Sequence, residues 1–490
     1  MAVFAVAGTA MCFLVRGLHG FEESAYLIDR IKMLAMGERP FKDFEFAYGV
    51  LFLYCPRAMM ALNLTAVQSY FVFWLLCLLA GVWLLYQTLN MLDYPTQRTV
   101  EIFHLFCLFS LTAVVCTGVN YTFLRFLPAP YFALLIQRID RRKGSHNRTL
   151  AMLASVVFTA VLLVISPEIA LAYSVGSACY FLFFGRRDKR SIAEYFSLLI
   201  LDAALLLTWG RLGAFATLKA FGSGGFNLPI VPGPHILSFL FVCGLVSFFV
   251  ASRLRGGSRG DGTLMVVAVS AGTLFAALGR CDIGHVGFAA IGILLVGTIL
   301  ASNFPRLWDM YRIAFIVLFV FIPAVLTLAL FPLALAERKA PVDPNQIKPC
   351  LVLYAASGPT LAPFGYSLNC EPQVRSGAID PGYFYGLDNV LTPGSVDRKI
   401  SEMRDHPGQN LLLPNNFDPQ CTFDLTVQRS LIRILLLYPY SGRVKNEHSV
   451  AEPLCAYIHS HYTASESTRA KNHGFSIWNP VTTATTDSIQ

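Results

Sequence analysis

The stretch Tyr48-Gly-Val-Leu-Phe-Leu-Tyr-Cys-Pro-Arg-Ala-Met-Met-Ala-Leu62 decides how this chain is threaded. It is apolar enough to pass for a transmembrane helix. It is nevertheless only about 15 residues long, short of the ~20 needed to cross a ~30 Å hydrocarbon core, and it contains Pro56 and Arg57. Counted as a span, it would put the basic Arg138–Arg148 cluster outside the cell. Read as an amphipathic helix lying in the outer interface, it leaves that cluster in the cytoplasm, where basic loops belong.

The surrounding composition makes membrane threading the central question. Of 490 residues, 55% are hydrophobic and 14% charged, with a mean hydropathy of +0.55. A soluble chain carries roughly 25% charged residues. The sequence therefore predicts an α-helical polytopic membrane protein in contact with the lipid bilayer. About eleven transmembrane helices are expected, near 1–16, 69–90, 102–118, 121–137, 149–165, 168–185, 193–209, 235–252, 263–279, 285–301 and 313–335. Residues 1–16 lack a basic start and a small-residue cleavage site, so they read as a retained first helix or as the product of a start placed slightly late. Arg125, Pro128 and Pro130 predict a broken start to the fourth helix.

One set of loops carries Arg138, Arg141, Arg142, Lys143 and Arg148, then Arg186, Arg187, Lys189 and Arg190, then Arg253, Arg255 and Arg259, then Arg306 and Arg312. The opposite loops carry chiefly Arg125, Arg211, Lys219 and Arg280. This asymmetry places the N-terminus in the cytoplasm and the 17–68 loop outside, with the chain in the inner (cytoplasmic) membrane. The net charge of +8 belongs to these loops and does not call for nucleic acid as a partner.

Residues 1–336 then form the membrane domain and 337–490 a small extracytoplasmic soluble domain, rich in Pro, Asn, Asp, Ser and Thr. Leu351–Tyr354, Asn410–Pro414 and Leu431–Tyr438 read as strands, and Val396–Arg404 and Ala451–Tyr462 as helices, so this tail is expected to be α/β. Cys350, Cys370, Cys421 and Cys455 are an even number in an oxidising compartment, so two disulfides are expected, in any of three connectivities. Reduced thiols or zinc ligands are the alternative, although no CxxC spacing supports zinc. No phosphate-binding glycine loop, GxSxG or HExxH motif occurs. Sequons at Asn63, Asn120 and Asn147 carry little weight.

Charged groups gather on the expected outer face. Glu22 and Glu23 follow the first helix, and on a helix Glu22, Tyr26 and Asp29 share one side. Asp43 and Glu45 follow Pro40, whose fixed φ restrains the loop. Asp29 and Glu45 read as solvated. Glu168, after Ser166-Pro167, either acts in a site or simply favours the dipole of the sixth helix. Gly279-Arg-Cys-Asp-Ile-Gly-His285 packs Arg, Asp and His between two long spans, an unusual density that favours function over an interfacial Arg280–Asp282 ion pair. The Gly222–Gly225 and Pro229–Pro234 loop is either a cover for a bound ligand or a linker. Asp202 falls inside the seventh helix, where an ionisable group either functions or is hydrogen-bonded within the bundle.

Phe21-Glu-Glu-x-x-Tyr26, then Gly37-x-x-Pro40-Phe41-x-Asp43-Phe44, then Tyr48-Gly49, resembles the first external loop of the GT-C superfamily of polytopic glycosyltransferases. In that superfamily an acidic pair precedes a helix ending in Gly-x-x-Pro-Tyr-x-Asp-Phe. Arg280-Cys-Asp282-x-Gly-His285 is similar to an Arg-Ala-Asp-x-x-His element of some bacterial members. The likeness covers roughly residues 1–335. The chain has Glu22 where many members have Asp, which keeps a carboxylate, and Phe41 where many have Tyr, which removes a hydroxyl.

The resemblance implies transfer of a sugar from a polyprenyl-phosphate-linked donor to a glycan, lipid or protein acceptor of the cell envelope. It implies Glu22 as the base for the acceptor hydroxyl, Asp43 as a second acid and Glu23 behind them. Arg280 and His285 become phosphate contacts, Asp282 orients Arg280, and Arg125 and Lys219 are weaker candidates for the same work. A divalent ion such as Mg or Mn could bridge Glu22 or Asp43 to phosphate, although some members work without one. Two other classes stand beside this reading: a lipid or solute transporter, and a non-catalytic envelope scaffold.

Overall fold

The computed structural model describes residues 2–16, 22–35, 48–92, 96–117, 121–141, 145–184, 189–214, 234–256, 263–274, 283–302, 304–325, 360–361, 393–405, 407–414, 452–465 and 475–481, with 37, 39–42, 46, 94, 277 and 328. The chain divides into two compact units. One is built mainly on Met1–Leu34 and Arg39–Arg338, the other mainly on Lys339–Arg429 and Ser441–Gln490.

Helices make up most of the described residues of the first unit. In chain order it holds α1 (Ala2–Arg16), α2 (Glu22–Ala35), α3 (Leu51–Met59, extended by a 3-10 turn, Met60–Leu62), α4 (Ala66–Met91) and α5 (Thr96–Thr117). The short α6 (Phe123–Phe126) leads into α7 (Pro128–Arg141), α8 (Ser145–Ile165), α9 (Pro167–Phe184) and α10 (Lys189–Arg211). Then come α11 (Pro234–Gly256), α12 (Leu264–Thr273), α13 (Ile283–Ala289), α14 (Ile291–Ser302) and α15 (Pro305–Phe315), the last running on through a π turn, Ile316–Phe321.

Among the described residues five helical stretches are long and apolar enough to cross a membrane: Ala66–Met91, Asn147–Ile165, Ile192–Arg211, His235–Ser252 and Pro305–Val325. The pair α13 and α14, bent by 72°, counts as a sixth if it is one span. The protein is an α-helical membrane protein. Its outward-facing side chains agree: Ile200 and Leu207 on α10 are 68% and 65% exposed, a surface that suits lipid better than water. These five or six stretches have the length and composition that crossing requires, among the described residues. The span expected at 263–279 is described as a ten-residue helix, Leu264–Thr273. The Tyr48–Leu62 stretch forms a twelve-residue helix, Leu51–Leu62, too short for a span.

Local chemistry explains the principal boundaries. Thr65 caps α4 reciprocally: its side chain accepts from the Gln68 amide at 3.2 Å while Gln68 Oε1 accepts from the Thr65 amide at 2.9 Å. Just before it, Asn63 takes a left-handed φ of 61° and ends the 3-10 turn. Pro128 and Pro167 open α7 and α9, where a missing N–H goes unnoticed.

Polar side chains meet near the helix ends. At one end Tyr94 donates to the Leu295 carbonyl at 3.0 Å, Arg312 pairs with Glu101 at 2.9 Å and Arg138 donates to the Met91 carbonyl at 2.7 Å. Arg148 reaches Asp140 at 3.8 Å there, and Thr149 donates to Glu194 at 2.8 Å. Arg138, Arg148 and Arg312 of the expected basic side thus share one end. The opposite end holds the site described below.

The second unit contains β1 (Thr360–Leu361), α16 (Pro393–Asp405), β2 (Asn410–Pro414), a helix at 452–461 (α17), β3 (Tyr462–Ala464) and β4 (Phe475–Pro480). The sheet order is β1-β2-β4-β3, with β1 and β2 parallel and the other pairs antiparallel. Leu411 and Leu413, two apart on β2, enter a core with Val396 and Met403 of α16, Leu454 and Ile458 of α17, and Trp478. The strand and helices expected at Asn410–Pro414, Val396–Arg404 and Ala451–Tyr462 are present to within a few residues. The expected strands Leu351–Tyr354 and Leu431–Tyr438 lie outside the described residues. Cys455 is buried and disulfide-bonded; Cys350, Cys370 and Cys421 lie outside the described residues.

Candidate functional site

The site begins at the break between α6 and α7. Thr122 is extended, with ψ 162°, and four residues of helix follow before Pro128 restarts the chain as α7. A proline cannot supply the amide that would carry α6 on smoothly. The break expected at Arg125–Pro130 is therefore real, and it holds Arg125 in the interior at 3% exposure.

Three aromatic rings surround the Arg125 guanidinium. Its carbon lies 4.5 Å from the centre of Tyr48, 4.7 Å from Tyr121 and 5.0 Å from Phe126. Such faces stabilise a desolvated cation through the ring quadrupole. Nε donates to the Ser166 hydroxyl at 3.2 Å and Nη2 pairs with Glu168 Oε1. Ser166 and Glu168 stand at the start of α9, where the Ser166 carbonyl receives the Ile169 and Ala170 amides. A carboxylate in the first turn also meets the positive end of the helix.

The first loop is joined to this centre through Tyr48 and Gly49. Phe46, buried, meets Tyr48 edge-on with centroids 5.7 Å apart. Gly49 lies so close to the end of α8 that a Cβ there would sit 2.2 Å from the Val164 carbonyl oxygen. Only glycine permits that approach. Earlier in the loop, the Phe41 ring meets Trp209 near the end of α10, with centroids 6.3 Å apart.

His285 closes the cluster from α13. It is 2% exposed, and its ring centre lies 4.2 Å from that of Tyr121 at an interplanar angle of 56°. One turn on, Phe288 packs against Phe123 and Phe126 at 5.7 and 5.6 Å. Elements far apart in sequence thus converge: the first loop, α6, the α8–α9 junction and α13.

The centre retains unused polar capacity. Arg125 Nη1, Glu168 Oε2 and the Thr122 hydroxyl are buried without hydrogen-bond partners. Nη1 can donate to an anionic oxygen, and Oε2 can accept a proton or a hydroxyl hydrogen bond. Among the described residues no three His, Cys, Asp or Glu side chains converge as metal ligands.

Of the residues singled out from sequence, the structure brings Arg125, Glu168 and His285 together. Glu22 and Glu23 open α2, but their side chains, and that of Asp29, lie outside the description. Asp43, Glu45, Lys219, Arg280 and Asp282 also lie outside the described residues. Asp202 stands apart on α10, where it accepts a hydrogen bond from Ser174 at 2.7 Å; the expectation of a bond within the bundle holds. Sequence reasoning missed Tyr48, Tyr121, Phe126 and Ser166 as the surround of Arg125. It also missed Arg30, a first-loop cation that is fully buried and partnered. Aromatic residues in an apolar chain carry no distinguishing pattern, although Tyr48-Gly49 sits within the GT-C-like motif.

A scan against protein-family models finds no match, and a search of curated proteins finds none at a significant level.

Proposed function

We propose that this protein is a GT-C-like membrane glycosyltransferase, moving a sugar from a polyprenyl-phosphate donor to a cell-envelope acceptor. The observation that carries the reading is the single buried cluster in which Tyr48 and Gly49 of the acid-bearing first loop meet Arg125, Glu168 and Tyr121–His285. Enzymes that part a sugar from a phosphate need a base beside the acceptor and fixed cations beside the leaving oxygen. Here a buried guanidinium with a free N–H and a buried imidazole gather around Tyr48 and Tyr121, and Tyr48 follows the acids of the first loop in sequence.

In this reading Glu22 takes the proton of the acceptor hydroxyl, and Asp43, with Glu23 behind it, positions the acceptor. Arg125 and His285 stabilise the departing phosphate together with Arg280, which Asp282 orients; Lys219 adds charge. Glu168 holds the Arg125 fork in place. The membrane part threads about eleven times, with the N-terminus in the cytoplasm and the cluster on the outer face of the inner membrane. The C-terminal unit is an extracytoplasmic α/β domain.

The test is incubation of the purified protein with a panel of polyprenyl-phosphate sugars, scored for turnover. Glu22→Gln and Asp43→Asn are expected to abolish transfer while the protein still inserts. Full activity in both variants would overturn the assignment of the chemistry.

A transporter is the second reading, favoured by the buried Asp202 and the 72° break between α13 and α14. Movement of substrate across proteoliposomes without any glycosyl product would select it.

A further inference from the structure

A second polar centre, separate from the Arg125 cluster, lies among α8, α9 and α10. Asp202 is the eleventh of the twenty residues of the Ile192–Arg211 span. At 1.5 Å per residue it stands about 15 Å from either end, near the middle of a hydrocarbon core. It is 2% exposed. From α9 it faces Ser174 and Tyr173, and from α8 Thr159, with Ser155 beside Tyr173. Tyr173 is the other titratable group in this set, and among the described residues Asp202 meets no Lys, Arg or His.

The protons can be counted. Ser174 donates its hydroxyl to Asp202 Oδ2 at 2.7 Å. Thr159 reaches the same carboxyl with a hydroxyl that also lies 3.1 Å from the Ser155 carbonyl. Asp202 Oδ1, the Tyr173 hydroxyl and the Ser155 hydroxyl are buried without hydrogen-bond partners. An ionised carboxylate in this place would hold a full charge at the bilayer centre on neutral hydroxyls alone, without a cation. A protonated carboxyl carries no charge and keeps Oδ2 as the acceptor for Ser174.

We propose that Asp202 is an intramembrane proton-binding site. Its carboxyl takes a proton from water and holds it between α8, α9 and α10 at pH values where exposed aspartates are ionised. Release of that proton leaves a lone carboxylate among apolar helices, so proton release and separation of α10 from α8 and α9 are linked. Intramembrane acids that hold protons are the groups from which proton relays are built. This site does not depend on the glycosyltransferase reading and would stand if that reading fell.

Infrared spectroscopy of the full chain in lipid tests the proposal, since a protonated acid and a carboxylate absorb at different frequencies. At about pH 7, some three units above the ordinary aspartate value of roughly 3.9, the wild-type spectrum is expected to contain a protonated-acid carbonyl band that Asp202→Asn removes. Ser174→Ala is the second variant: it deletes the donor to Oδ2 and is expected to move the same band to higher frequency. A band that is absent at about pH 7, or unmoved by Ser174→Ala, overturns the proposal. Loss of the band on adding sodium ions would assign the oxygen cluster to a metal cation and overturn it equally.

Discussion

Replacing Glu168 by Gln is expected to destabilise the helical unit by about 2–3 kcal/mol, through Arg125 rather than through Glu168 itself. Breaking a buried ion pair from one side costs about 3–5 kcal/mol, because the remaining charge is left uncompensated. Two features of this pair reduce that figure. The Glu168 side chain is 23% exposed, so part of its charge is already screened. Arg125, at 4% side-chain exposure, keeps its bond to Ser166 and its three aromatic faces; each face contributes about 0.5–1 kcal/mol. The net loss corresponds to a roughly 30- to 150-fold change in the unfolding equilibrium. Reversible unfolding in mixed micelles, followed by tryptophan fluorescence, measures it. The double variant Arg125→Met, Glu168→Gln removes the stranded charge and is expected to recover to within about 1 kcal/mol of wild type. A Glu168→Gln variant within about 0.5 kcal/mol of wild type, or a double variant less stable than the single, would refute the reasoning.

Gly49→Ala places a Cβ 2.2 Å from the Val164 carbonyl oxygen, where only backbone could yield; it should cost about 3 kcal/mol and release the first loop to protease, as limited proteolysis would show. Thr273→Val removes the hydroxyl that donates to the Ala289 carbonyl at 2.6 Å. A loss of about 1–2 kcal/mol is expected in the same unfolding assay, with no loss if another donor takes its place. Cys455→Ser breaks the disulfide of the C-terminal unit and should lower its stability by about 2–4 kcal/mol. A free-thiol count raised by one in the unfolded variant relative to wild type shows the released partner; a count lowered by one contradicts the bond.

The spans were legible where one apolar run coincides with one helix. The expected 235–252 is found as His235–Ser252 and the expected 193–209 as Ile192–Arg211. Helix ends were not legible where helices outrun their apolar part. α5 begins at Thr96, six residues before the expected 102, because Arg98 and Glu101 sit comfortably on its polar end, in an ion pair at 3.2 Å. In the site, Arg125, Glu168 and His285 announced themselves as charged or polar residues beside proline or glycine. Their aromatic surround did not. Tyr48, Tyr121 and Phe126 are three of many aromatic residues, and only tertiary contact distinguishes them from lipid-facing rings such as Trp83, which is 56% exposed. The break at Ala290 was also unread, since no proline marks it and the run around it is uniformly apolar.

That break is what brings His285 to Arg125's surround. His285 lies five residues before Ala290, so along a helix rising 1.5 Å per residue it is about 7.5 Å from the hinge. Swinging that arm through 72° moves it by about 9 Å, more than twice its 4.2 Å separation from Tyr121. A straight helix through 283–302 would therefore leave His285 out of the cluster. A bend inside a membrane bundle frees carbonyls that have no water to bond, and such bends persist only where a neighbour supplies a donor. Thr273 of α12 supplies it at Ala289, while the Ala290 amide keeps its helical bond to Val286 at 3.0 Å. Thr273 of α12 thus ties that helix to the bend between α13 and α14, and the bend carries an imidazole toward the Arg125 surround. A protein that needed only to cross the bilayer would have no use for that bend; one that assembles polar groups at the mouth of its helices does.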